Sequence, residues 1–141
     1  METHNITTSW KGNMQFESTN PSGDIISIAS GIENEHKSNG LRPKALMLSA
    51  LAGCTGLDVV SLMEKMKVEV SNFKIETSGE LTDEHPKFYH KVKVDYHFYG
   101  DNLDEKKLEK AVHLSAEKYC GVMEMFRQFA KLEVEIFYHK I

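Results

Sequence analysis

The stretch from Pro43 to Met66 constrains the fold most. Pro43 suits a first helical turn, because its missing N–H would lack a partner there anyway. Leu46, Ala50, Leu51, Cys54, Leu57, Val60, Leu62 and Met66 then recur with helical spacing. From Ala45 to Cys54 nearly every position is apolar, which predicts burial on most sides of the helix. Glu64, Lys65 and Lys67 make its second half amphipathic. Other elements must wrap around such a helix.

Those elements read as strands before it and a mixture after it. Thr7 to Glu17 is a strand or a hairpin broken at Gly12, and Asp24 to Ser30 is a second strand beyond the Asn20–Gly23 turn. Gly31 to Gly40 is polar and reads as a loop. Val68 to Leu81 and Lys87 to Tyr99 form a hairpin whose turn is Gly79 to Pro86. Val92, Val94 and Tyr96 alternate there with Lys91, Lys93 and Asp95. Asp104 to Tyr119 is a second helix with Leu108, Val112 and Ser115 on one face, and its start is acidic, as a helix N-terminus favours. Cys120-Gly121 interrupts it, Val122 to Ala130 resumes as a shorter helix, and Leu132 to Tyr138 is a last strand. The order is that of an α+β fold, not of an alternating parallel sheet. With 141 residues and no repeat or linker, residues 1–141 read as a single domain.

Composition removes several function classes. The net charge is −4 and no dense basic run occurs, so no nucleic-acid partner is expected. The longest apolar stretch, Ala45 to Cys54, is too short to span a membrane, and Met1 to Gly12 has no apolar secretory segment. A cytoplasmic location follows as the expectation. Two cysteines in such a reducing compartment are thiols with chemistry, or plain core residues, rather than a permanent bridge. His4, His36, His85, His90, His97, His113 and His139 include no H-x3-H pair, and no C-x2-C pair accompanies them. No metal and no organic cofactor is expected.

Cys54 lies in Ala52-Gly-Cys-Thr-Gly56, inside the long helix. Each glycine there costs about 1 kcal/mol relative to alanine, so something must approach this turn closely. Tight packing around a small buried thiol is one reading and a reactive site is the other. Cys54 is too far past Pro43 for the helix dipole to acidify it, and Asp58 one turn on would raise a thiol pKa unless engaged elsewhere. An activating cation must come from outside the helix, with Arg42, Lys11 and Lys44 as the candidates. Cys120 stands at a helix break, where free backbone N–H groups favour a thiolate. His113, seven residues earlier, shares its face if the helix is regular, and is a candidate base. As a pair, Cys54 and Cys120 allow a sulfenic acid to be resolved as a disulfide, provided their Cα atoms come within about 7 Å.

The segment Arg42–Val60 (RPKALMLSALAGCTGLDVV) resembles the central helix of the OsmC/Ohr family, and Ala111–Val122 (AVHLSAEKYCGV) resembles its second-cysteine segment. The order of elements matches as well, and within the family the likeness is to the less characterised OsmC-like branch. The resemblance implies an OsmC-like fold in an intertwined homodimer. N-terminal strands of one chain would complete the other's sheet, and Ala52, Gly53 and Gly56 would sit where central helices meet. It implies an oxidoreductase with an antioxidant role under oxidative stress: a thiol-dependent peroxidase with Cys54 as the peroxidatic and Cys120 as the resolving cysteine. The substrate would be a small organic hydroperoxide and the reductant an external dithiol of the lipoyl type. The family's glutamate, ten residues before the first cysteine, is Lys44 here, and no carboxylate occurs between Glu35 and Asp58. The family's glutamate–arginine pair is therefore absent from these helix positions, while Lys11 falls near the place of the arginine. Leu57, Met123, Met125 and Phe126 are candidates to line an alkyl-peroxide pocket. Two other readings stand beside the peroxidase. One is a non-catalytic small-ligand-binding or redox-sensing module, and the other a structural dimer with inert thiols.

Overall fold

The computed structural model describes residues 1–30 and 39–141. Most of the expected Gly31–Gly40 loop, and His36, lie outside the described residues. The chain divides into two compact units, Met1–Met47 and Leu48–Ile141.

The first unit is a three-stranded antiparallel sheet in the order β1 (Thr7–Trp10), β2 (Gln15–Thr19), β3 (Ile25–Ala29). The broken-hairpin reading of Thr7–Glu17 is the observed one: Trp10 pairs with Phe16, and the turn between them takes Gly12 and Asn13 to positive φ. Leu41 adds a bridge beside β3, with its N–H donating to Ser27 O at 2.8 Å. Gly40 permits this approach, since a Cβ there would lie 2.8 Å from the Ser27 carbonyl.

Helix α1 (Pro43–Met66) begins in the first unit and runs through the second. It ends on Lys67 at φ +56°, where Val68 N–H donates to Met63 O and Lys67 N–H to Glu64 O. This paired C-terminal cap uses a left-handed residue that is usually glycine. By length and composition α1 is apolar enough to cross a membrane. Its Leu51–Thr55–Val59–Met63 stripe is instead buried in the protein core, which makes it a core helix. The stripe differs from the predicted one, for Ala50, Leu57 and Val60 are exposed, as are Met47 and Gly53. The expectation that Ala45–Cys54 is buried on most sides is therefore not met within one chain.

The second sheet has the order β4 (Asn72–Leu81), β5 (Tyr89–Tyr99), β6 (Lys131–His139). β4 and β5 are antiparallel and β5 and β6 are parallel, a pairing that needs the helical crossover between them. Val92, Val94, Tyr96 and Phe98 face the core, as their alternation predicts. Phe73 stacks on Phe98 with ring centroids 4.6 Å apart. The turn is shorter than predicted, because β4 continues through Gly79 to Leu81. Gly79 is there for close approach: a Cβ would lie 2.5 Å from the Tyr89 ring.

The crossover consists of α2 (Glu105–Leu114), a π-helical turn (Ser115–Tyr119) and α3 (Gly121–Arg127). Asp104 caps α2, accepting from Lys107 N–H at 3.2 Å. The helix predicted to run to Tyr119 leaves α-geometry at Ser115, where Cys120 N–H donates to Ser115 O at 2.8 Å, five residues back. π turns are rare and gather at functional sites.

A buried thiol pair on a hydroxyl relay

Cys54 occupies the middle of α1, half-buried, and Cys120 lies between the π turn and α3, only 4% exposed. The two thiols are neighbours: Cys54 packs against the core cluster that holds Cys120 and bears on its protonation. Cys120 is also the N-cap of α3, its sulfur accepting from Met123 N–H at 3.3 Å. That N–H favours the thiolate, as a helix break should, but burial opposes it more strongly. Burial, with smaller contributions from Cys54 and Asp58, pushes the Cys120 thiol from 9.0 up to about 11. Cys120 is therefore a protonated thiol at neutral pH.

Beside the thiols three elements meet through polar side chains. Thr55 and Ser115 are fully buried, as is Tyr96. Thr55 Oγ1 lies 2.6 Å from Tyr96 Oη and 2.7 Å from Ser115 Oγ, and Ser115 Oγ donates to Asp58 Oδ2 at 3.0 Å. An ionised carboxylate only accepts, which fixes the direction of the chain. Ser115 donates to Asp58, Thr55 to Ser115, and Tyr96 to Thr55. Burial is the main cause that raises Tyr96 to about 12. Asp58, which threatened to raise the thiol pKa unless engaged, is engaged by Ser115, and its charge still contributes to the raised value of Cys120.

The other predicted residues fall elsewhere. Lys11 follows β1 in the first unit and pairs with Glu17 at 3.7 Å. Arg42 is exposed just before α1, its carbonyl accepting from Leu46 N–H, and Lys44 is exposed in the first turn. His113 is exposed between Glu109 and Glu117, at 3.7 and 4.0 Å, because the π turn separates its face from that of Cys120. The proposed pocket lining divides: Met123 and Phe126 are core residues, while Leu57 and Met125 are 75% and 65% exposed. Among the described residues no group of three His, Cys, Asp or Glu side chains is placed to hold a metal. Sequence reading missed Thr55, Tyr96 and Ser115. A hydroxyl falling on the buried i, i+4 stripe of α1 was the available signal.

The family model for OsmC-like protein matches residues 35–135. The chain belongs to the OsmC-like family. A hypothetical protein from Aquifex aeolicus VF5 superposes with a TM-score of 0.87 at 30% identity, covering 100% of this chain and 99% of that one. Protein YhfA of Escherichia coli K12 is 31% identical over 86 residues, 61% of this chain and 64% of its own length. The match thus spans less than two thirds of that relative. The organic hydroperoxide resistance protein OhrB of Bacillus subtilis superposes with a TM-score of 0.67 over 96% of this chain and 98% of its own, at 18% identity, a likeness of fold.

Proposed function

We propose that this OsmC-like protein is a thiol-dependent peroxidase that reduces organic hydroperoxides. The observation that carries the reading is the asymmetry of the pair: a half-buried Cys54 touching a buried Cys120 that burial keeps protonated. The Cys54 thiolate attacks the O–O bond of the hydroperoxide, which gives Cys54–SOH and an alkoxide that takes a proton to become the alcohol. The Cys120 sulfur then attacks the sulfenic sulfur. The S–S bond forms as the S–O bond breaks, and the Cys120 proton leaves with the hydroxyl as water. An external dithiol returns both thiols by exchange, becoming a disulfide itself.

The apolar exposed side of α1, with Met47, Leu57 and Val60, supports a homodimer in which a second copy covers it. A cytoplasmic setting suits a cycle that begins from free thiols. Lys44, at the place of the family's glutamate, favours a second reading, a redox-sensing or ligand-binding module that is oxidised slowly.

A stoichiometric pulse of an alkyl hydroperoxide, followed by mass spectrometry of the folded protein, separates the two. The peroxidase reading expects a Cys54–Cys120 disulfide that forms faster than with hydrogen peroxide. Two intact thiols after minutes would sink it in favour of the module.

A further inference from the structure

In a regular α-helix the N–H of residue i+4 returns to the carbonyl of residue i, so Tyr119 would close on Ser115. Here the N–H of Cys120 does so, at 2.8 Å. The single residue of difference decides which side chain faces α1. Cys120 is buried against Cys54, and Tyr119 is 52% exposed. Tyr119, Lys118 and Glu117 are ordinary helix formers, so nothing local asks for the π register. Its first two residues are held from outside. At the start, Ser115 Oγ is fixed to Thr55 Oγ1 at 2.7 Å and to Asp58 Oδ2 at 3.0 Å, one and four positions beyond Cys54. At the next residue, Ala116 O accepts from Arg127 Nη2 at 2.6 Å. That guanidinium satisfies a carbonyl of the altered turn.

We infer that Ser115 is a positioning residue for the thiol pair: its hydroxyl, tied to Thr55 and Asp58, and its carbonyl, tied to the Cys120 amide, hold Cys120 rather than Tyr119 against Cys54. The inference deepens the peroxidase reading, and rests on it for its use in the resolving step. In that step Ser115 touches neither peroxide nor sulfur. It supplies a short, fixed path between the thiols, which raises the effective concentration of one at the other. Arg127 assists at the adjacent residue of the same turn.

The test measures that effective concentration without peroxide. The protein is equilibrated in glutathione buffers of graded reduced-to-oxidised ratio, and the Cys54–Cys120 disulfide is quantified by mass spectrometry. Ser115→Ala is expected to lower the effective concentration at least about fivefold. Arg127→Ala, at a side chain 41% exposed, is expected to lower it in the same direction. The alkylation rate of Cys54 serves as the readout of general loosening and stays near its wild-type value. A folded Ser115→Ala protein with a smaller fall would overturn the inference. Should Ser115→Ala fail to fold, Arg127→Ala decides it: a clear fall supports the π register as the device, and an unchanged value overturns it. Because peroxide is absent, a protein that ignores hydroperoxides yet shows a high, Ser115-dependent effective concentration refutes the peroxidase reading and keeps the positioning role.

Discussion

The Tyr96 hydroxyl stands 2.6 Å from Thr55 Oγ1, and neither residue has measurable exposure. Thr55 also meets Ser115, so one small side chain serves two buried hydroxyls. Replacing Thr55 by valine keeps the shape and removes both contacts. Tyr96 then loses its partner inside the core, and an unsatisfied buried group costs about 1–3 kcal/mol. Thr55→Val is expected to lower unfolding free energy by about 2–4 kcal/mol in urea melts, the two lost contacts taken together. A change below about 0.5 kcal/mol, the range of ordinary surface substitutions, would show that the relay contributes nothing to stability.

The fold favours the protonated forms of Tyr96 and Cys120, whose values of about 12 and about 11 stand above the ordinary 10.0 and 9.0. Stability from such groups is complete below the ordinary value and declines as pH rises through the raised one. The window therefore opens near pH 9 with Cys120 and continues toward pH 12 with Tyr96. Unfolding free energy is expected to fall by about 3–4 kcal/mol between pH 8 and pH 11, with less decline in Tyr96→Phe measured against its own pH 8 value. A flat profile over that interval would contradict the assignment.

Alkylation should report the same asymmetry residue by residue. In the Cys54→Ser variant burial still acts on Cys120, so its reaction with iodoacetamide is expected to rise with a midpoint above pH 9. Peptide mass spectrometry after timed quenching gives the profile. A midpoint at or below 9 would remove the ground for calling Cys120 the protonated member of the pair.

Leu57 offers a test of the dimer. Its side chain is 75% exposed in the single chain, so Leu57→Lys should leave the fold of one chain intact. In solution the wild type is expected at twice the chain mass of 16.1 kDa by light scattering, and the variant nearer to one. A wild type that runs as a monodisperse monomer would refute the dimer.

Gly79 also carries a definite expectation. Alanine there would drive a Cβ to 2.5 Å from the Tyr89 ring, an atom group held in the core. Overpacking of this kind costs about 1–3 kcal/mol, measurable as a lowered denaturation midpoint without loss of the thiols' reactivity.

Much of this was legible in the residues. The 43–66 helix, the 68–99 hairpin and the two-cysteine constellation follow from periodicity, turn residues and the likeness of two segments to the OsmC/Ohr family. What escaped had tertiary causes. Gly79 reads as turn punctuation because glycine marks turns, and only the fold brings Tyr89 over it. Ser115 reads as an ordinary face residue, because its hydrogen-bond partners lie on α1, far away in sequence. The π turn carries no local signal, and the regular-helix count that puts His113 on the face of Cys120 fails two residues later. The apolar run Ala45–Cys54 predicts burial on most sides, and within one chain Met47, Ala50 and Gly53 are exposed instead.

The parallel pairing of β5 with β6 also sets an order of assembly. The β4–β5 hairpin is closed by a short connection and can form once residue 99 has been synthesised. Its partner edge on β5 must wait until the crossover helices and residues 131–139 exist. During that interval a nascent chain carries an open strand edge next to Val92, Val94 and Tyr96. This makes the moment before the last strand docks the one at which the protein is most exposed to pairing with the wrong neighbour.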